Sequence, residues 1–330
     1  MSPYLFLLVA DVLQNLIKAD TGARHPIAED GPCAVLQYAD DTLIVCRGDV
    51  ADVSRLRMLL DQFADATGLT INDSKSTAVP MHVSAMVLPQ CIAALGCREE
   101  GFPQTYLGLP LSHCKLKLST FAPYIAKTDR YLAGWQATLL NPMGRTVLIN
   151  AVLDSQLVYL MSALPIPPGV LKQVDQHRRA FLWTGEDVAR GANCLVAWAQ
   201  VCDNRANGGL GIRDLNLQNS CLLLKLLHQL HRGAGSSWAG WVRKHCCIAS
   251  MEGEITGPHW TALRGLLPVY RAITTVQLGD GGTTSSWFDV WNGQDALAKT
   301  CTSVCPGVLL LNKKRTPPRD HQKKMIHVGN

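Results

Sequence analysis

LQYADDTLIV, residues 36–45, places two adjacent aspartates, Asp40 and Asp41, between two short apolar runs. Ala34, Val35, Leu36 and Tyr38 precede the pair, and Leu43, Ile44 and Val45 follow it. Residues of these types in runs of this length favour extended strands joined by a tight turn. The pattern predicts a β-hairpin with an acidic tip. Two carboxylates held side by side repel each other unless water screens them or a cation lies between them. A solvated turn meets the first condition and a metal site the second, so the flanking sequence has to decide.

Upstream, Ser2 and Pro3 form an N-cap and first-turn pair, and Leu5, Leu8, Val9, Val12, Leu13 and Leu16 follow at helical spacing. Downstream, Val53, Leu56, Leu60 and Phe63 mark a second amphipathic helix, which Gly68 can end in the left-handed conformation that glycine adopts at little cost. GLTINDSKSTAVP, residues 68–80, reads as a short strand, a polar turn carrying Lys75 and another strand. YLGLPL, residues 106–111, reads as a bent hairpin. This alternation of helix and strand is that of an α+β layer. From about Leu118 the period turns helical, with helices expected near 119–138, 144–162, 168–183 and 215–232, separated by NPMG, PIPPG and NRANGGLGI. Beyond Gly233 the chain reads as Trp-rich and irregular, with GDGG at 279–282 ahead of SSWFDVW, and it closes in a basic tail, KKRTPPRDHQKKM, expected to be disordered.

With 330 residues, 47% hydrophobic and 17% charged, the chain is able to bury a sizeable core in two or three folding units. Its twelve cysteines are scattered from Cys33 to Cys305 without an even framework, which suits a reduced, intracellular setting, nuclear or cytoplasmic. PYLFLLVA lacks a preceding basic residue and is interrupted by Asp11, unlike a signal peptide. The apolar run around Leu157–Leu164 is stopped by Pro165, Pro167 and Pro168, so no membrane span is expected. Charge is unevenly spread. Residues 1–112 carry 7 Lys and Arg against 13 Asp and Glu, residues 113–232 carry 13 against 7, and residues 233–330 carry 11 against 6. An acidic unit followed by basic ones suits a metal-binding catalytic part and a part that holds a polyanion.

SPYLFLLVADVL, QYADDTLIV, GLTINDSKS and YLGLPL, in this order, resemble the later palm motifs of reverse transcriptases, most closely those of plant non-LTR (LINE-type) retrotransposons. GWQATLLNPMGRTVLINAVL, LPIPPGVLKQVDQHRRAFLW and NGGLGIRDLNLQN are similar to the thumb and connection that follow, and LGDGGTTSSWFDVW to the start of the zinc-binding-type region beyond. The resemblance implies an α+β fold: a partial palm with an antiparallel sheet over 1–112, a mostly helical thumb and connection over 113–232, the start of the zinc-binding-type region over 233–298, and a tail over 299–330.

The resemblance also implies roles. Asp40 is the ligand of a catalytic Mg²⁺ and Asp41 assists it; Lys75 falls in the motif whose lysine approaches the leaving pyrophosphate; and Tyr106, Leu107 and Gly108 belong to the hairpin that supports the primer end. Arg178 and Arg179 are candidates for phosphate contact, and an exposed helix face is the plainer reading. The implied partners are an RNA template, a DNA primer and deoxynucleoside triphosphates. Two-ion nucleotidyl transfer in the family takes a third carboxylate from an earlier strand. Asp11, inside a helix, and Glu29 and Asp30, in a polar loop, do not follow that pattern. The chain is therefore expected to be an inactive C-terminal part of a polymerase, with a non-enzymatic nucleic-acid-binding fragment or a retroelement remnant as alternatives. Cys301, Cys305, His321 and His327 are spaced C-x3-C-x15-H-x5-H, just outside a zinc-finger spacing.

Overall fold

The computed structural model describes residues 3–26, 34–133, 140–185, 194–232, 236–277, 285–291, 293, 295–297 and 326–328. The fold is α+β, 55% helical with small sheets, and the chain divides into two compact units, Met1–His113 and Cys114–Asn330.

The first unit runs α1 (Pro3–Ala19), β1 (Ala34–Tyr38), β2 (Asp41–Val45), α2 (Val50–Thr67), β3 (Thr77–Ala78), α3 (Leu88–Leu95), β4 (Arg98–Glu99), β5 (Gln104–Tyr106) and β6 (Leu109–Leu111). Helix α2 forms where its spacing predicts. The Asp49 side chain accepts from the Asp52 backbone N–H at its start, and Gly68, at φ 73°, ends it. It buries Val53, Leu56, Leu59, Leu60 and Phe63, and the last four of these pack with Leu13 and Ile17 of α1 and Val35 of β1. A fully buried Leu, Ile or Phe stabilises by about 1.5–3 kcal/mol, whereas an isolated hairpin is marginal, so this cluster holds the β1–β2 pair in place.

Two details depart from expectation. The stripe Leu5, Leu8, Val12 of α1 is exposed, and the buried face is Ala10, Leu13 and Ile17. A helix apolar on more than one side leaves spacing unable to choose the face. Residues 69–72 form no strand, and β3 is two residues long, pairing parallel with β4, whereas an antiparallel sheet was expected. Among the described residues every sheet has two strands.

The second unit opens with a 3₁₀ turn, Leu118–Phe121, and runs α4 (Ala122–Ala133), α5 (Pro142–Leu148), a π-helical turn (Ile149–Leu153), α6 (Asp154–Ala163), α7 (Pro168–Trp183), α8 (Trp198–Val201) and α9 (Leu215–His231). It continues with α10 (Ser237–His245), β7 (Cys246–Cys247), β8 (Glu252–Gly253), α11 (Pro258–Gly265), α12 (Leu267–Ile273), β9 (Thr274–Val276) and β10 (Ile326–Val328). The region after Gly233, read as irregular, is thus largely helical over 237–273. Pro258 and Pro268 sit in the first turns of α11 and α12, where the missing N–H costs nothing, and so mark helix starts. Trp260, Leu263, Leu267 and Tyr270 pack with Leu223, Leu227 and Leu230 of α9. GDGG, Cys301, Cys305, His321 and most of the tail lie outside the described residues, and of His327 only the backbone, in β10, is described.

Residues 142–163 form one continuous helix of 22 residues, and an 18-residue stretch within it has mean hydropathy 1.3, long and apolar enough to cross a membrane. That corrects the expectation that no stretch reaches this length. Its packing is that of a core helix: it buries Ile149, Leu153, Asp154, Leu157, Leu160 and Met161. The Asn219 amide of α9 donates to Met161 O at 2.8 Å and to Leu164 O at 2.9 Å, capping its last turn. Asp154 is the hub. Arg178, wholly buried on α7, sets Nε 3.0 Å from Asp154 Oδ1, donates from Nη2 to Oδ2 at 3.2 Å and to Arg213 O at 2.8 Å, and pairs with Asp175 at 2.5 Å. Arg213 in turn donates to Asn150 O at 2.9 Å, within the π turn. The segment 207–214 is thereby locked onto α6 and α7. Gly209 packs the segment against the loop after α8, since a Cβ there would meet Asp203 O at 2.1 Å.

Burial pushes the Asp154 carboxyl up to about 6, against the pull of Arg178 and Arg213. A folded-state value raised above the unfolded one gives stability that is fully present below pH 4 or so and is lost as pH rises through about 6. The stability of the natural chain relative to Asp154→Asn should therefore increase by on the order of 2 kcal/mol from pH 7 to pH 4. All eight tryptophans lie at or beyond Trp135, so tryptophan fluorescence during urea unfolding reads the second unit alone. A difference that shrinks toward low pH would contradict this. Arg178→Met, which leaves the buried carboxylate alone, should cost about 3–5 kcal/mol at pH 7.

Candidate functional site

The acidic tip is built by register. Tyr38 pairs with Asp41, Gln37 with Thr42 and Leu36 with Leu43 in an antiparallel ladder, leaving Ala39 and Asp40 as a two-residue turn. Such turns need positive φ, and Ala39 supplies it at 52°. Val35 turns inward to α1 and α2, and Leu36 and Tyr38 face solvent. Asp40 and Asp41 are both exposed.

Five other aspartates of this unit are matched by arginines. Asp20 takes Arg55 at 2.6 Å, Asp49 and Asp52 take Arg24 at 3.4 and 3.0 Å, and Asp61 and Asp73 take Arg57, each at 2.9 Å. The Arg55 guanidinium holds the Asp20 carboxyl below its ordinary value, helped by the Ala23 and Gly22 backbone N–H groups and opposed by partial burial. These pairs fasten residues 20–24 and 73 to α2, a use of the aspartates and arginines that spacing did not reveal. Among the described residues no salt bridge joins Asp40 or Asp41, so the charge of the tip is left to solvent or to a bound cation.

Of the other candidates, Tyr106 comes to the hairpin. Its hydroxyl donates to Leu36 O at 3.2 Å, joining the β5–β6 hairpin to β1. Leu107 (φ 51°) and Gly108 (φ 76°) make the tight turn of that second hairpin. Lys75 is exposed in the turn after Asn72, where its backbone N–H donates to Asn72 O at 3.0 Å and Asn72 Oδ1 at 3.1 Å. Arg98 donates to Ser74 O at 2.7 Å and steadies the same turn. Asp11 is exposed on α1 and accepts from Asn15 at 2.9 Å. Glu29 and Asp30 lie outside the described residues.

Arg178 is a correction. Its guanidinium is enclosed by Asp154, Asp175 and Arg213 O, so its charge is spent inside the second unit and is not offered to phosphate. Helical spacing had shown only two adjacent cations. The signal that identifies the hub is the reciprocal one, a lone carboxylate, Asp154, inside an apolar helix. Arg179 is partly exposed and lies over the Trp198 ring, 5.6 Å from its centroid.

Among the described residues no group of three or more His, Cys, Asp or Glu side chains is placed to hold a metal ion. Asp40 and Asp41 offer hard carboxylate oxygens of the kind Mg²⁺ takes, but two neighbours on one hairpin do not make the clamp of a two-ion site. The donor set present does not fit the full catalytic group.

Residues 1–111 match the reverse transcriptase (RNA-dependent DNA polymerase) family. The match ends with β6 and takes in both hairpins and the Lys75 turn. An Arabidopsis thaliana protein whose provisional name is ribonuclease H protein is 30% identical over 157 residues, 48% of this chain and 24% of its own length. A mitochondrial protein of the same plant, whose name assigns no function, is 28% identical over 143 residues, 41% of this chain and 90% of its own length. The chain thus spans about a quarter of the first relative.

Removing the hydroxyl that joins the two hairpins tests the reverse transcriptase-like unit. Tyr106→Phe should destabilise it by about 0.5–1.5 kcal/mol, toward the low end because the bond is exposed. Amide exchange at residues 36–43 should quicken, whereas exchange in α2 should change little. Equal acceleration in both would mean that the hydroxyl does not act on the hairpin specifically.

Proposed function

We propose that the first unit is the later part of the palm of a plant non-LTR, LINE-type reverse transcriptase, and that residues 113–232 derive from the thumb and connection of the same polymerase and residues 233–298 from the start of its zinc-binding-type region. The observation that carries the reading is the Tyr106–Leu36 hydrogen bond, which joins the hairpin of the two aspartates to the hairpin the resemblance associates with the primer end. The parent enzyme would use an RNA template, a DNA primer, deoxynucleoside triphosphates and Mg²⁺. In this chain Asp40 and Asp41 would attract a divalent cation at the tip, and Lys75 would add a positive charge on its exposed turn. No nucleotidyl-transfer step follows from two carboxylates, so the chain by itself does not polymerise.

A second reading is favoured by the charge of residues 113–232, 13 basic against 7 acidic: a non-enzymatic unit that binds nucleic acid. The two readings share a nucleic-acid partner and differ in what the acidic tip does.

With a primed RNA template, Mg²⁺ and nucleotides, the purified chain should give no extension above an Asp40→Ala control. Extension above the control would overturn the inactivity claim. Millimolar Mg²⁺ should raise the melting temperature of the natural chain more than that of Asp41→Asn, because a ligand bound only to the folded state stabilises it by mass action. Equal shifts would leave the nucleic-acid-binding reading in place of the palm reading.

A further inference from the structure

The geometry points to a single-stranded nucleic-acid stacking platform on α10, the helix Ser237–His245. One face of α10 is core: Ala239 and Val242 are buried with Leu227 and Leu230 of α9. The other face carries Trp238, 39% exposed, and Trp241, 46% exposed, with Gly240 and Lys244 also exposed. At helical spacing Trp238, Trp241, Lys244 and Gly240 fall on one continuous arc.

Three observations select the partner. The first is that Trp241 is braced. Its ring packs against that of His245, tilted by 38° with centroids 4.7 Å apart, and His245 Nδ1 is held 3.0 Å from Glu254 Oε2, so the Trp241 ring is kept in place at the surface. The second is charge. Glu252 is taken by Arg264 at 3.0 Å and Glu254 by His245. Arg243 and Lys244 remain exposed cations, Arg243 being fixed by a 2.9 Å bond to Leu230 O.

The third is Gly240, which weakens a helix relative to alanine. A Cβ there would meet nothing within 4 Å, so the chain's own packing does not require glycine. A bare backbone beside Lys244 admits close approach from outside.

Exposed aromatic faces next to cations, with Glu252 paired to Arg264 and Glu254 hydrogen-bonded to His245, suit a polyanion that carries flat rings of its own. Unpaired bases stack on such rings, and the bases of a duplex are not accessible to them. The inference goes beyond the reading of the acidic tip and does not depend on it, since its test uses metal-free buffer and variants of the second unit only.

The test is fluorescence anisotropy of the full chain with a labelled twelve-nucleotide oligo-dT, against a duplex of the same length. Trp241→Leu should weaken single-strand binding about tenfold and Trp238→Leu by a similar factor, with duplex binding little changed. Trp241→Phe, which keeps a stacking face and the packing, should recover most of the loss. Lys244→Ala should lower the salt slope by about one. Gly240→Ala should raise the melting temperature while weakening binding. Single-strand affinity unaltered by Trp241→Leu, or equal losses for duplex and single strand, would overturn the proposal. So would self-association of the chain that depends on Trp238 and Trp241 in the absence of oligonucleotide binding, because the face would then be a protein contact.

Discussion

The pairing of Tyr38 with Asp41 leaves the chain two residues in which to reverse direction, and one of them is Asp40. That register sets the chemistry of the first unit. A slip of one residue would turn Val35 out of the core and bring Leu36 into it, exchanging the faces of the whole hairpin. Val35 is held by Leu13, Ile17 and Phe63, so the helices α1 and α2 hold the aspartates at the tip although neither contributes to it. Arg55 and Arg57 of α2 and Arg24 are engaged by other aspartates. Among the described residues Asp40 and Asp41 form no salt bridge, and the tip is left with two adjacent negative charges facing solvent.

The second unit depends on a buried ion pair in a comparable way. Asp154 and Arg178 reach across from α6 to α7, and Arg178 and Arg213 extend the network to the segment before α9. Buried pairs of this kind contribute little net stability compared with apolar side chains of the same volume, because desolvation offsets the attraction. Their effect is to fix which groups meet. Here they dock an irregular, glycine-rich segment in one position and set the start of α9, against which α11 and α12 then pack.

Much of this was legible in the sequence. The hairpin, α2 with its glycine stop, the YLGLPL hairpin and the long helices follow from period and turn chemistry. What spacing could not resolve was decided by tertiary partners. Helix α1 is apolar on two sides, and only the position of α2 tells which side is buried. Arg178 and Arg179 look alike in the sequence and both lie over the Trp198 ring, yet Arg178 is buried against Asp154 and Arg179 is partly exposed. The helices after Gly233, a region that reads as irregular, are short, and α11 and α12 carry Pro258 and Pro268 in their first turns. The Tyr106–Leu36 bond spans 70 residues and leaves no local signature.

The account rests on the acidic tip being a cation site, and paramagnetic broadening by Mn²⁺ tests that most directly. Mn²⁺ takes the same oxygen ligands as Mg²⁺ and broadens nearby amide signals. Titrated at substoichiometric amounts into the labelled chain, it should broaden residues 38–43 first, and Asp40→Asn should abolish the effect at those residues. Broadening that begins elsewhere, or that persists at 38–43 in Asp40→Asn, would make LQYADDTLIV an ordinary solvated turn and contradict the reading of the first unit.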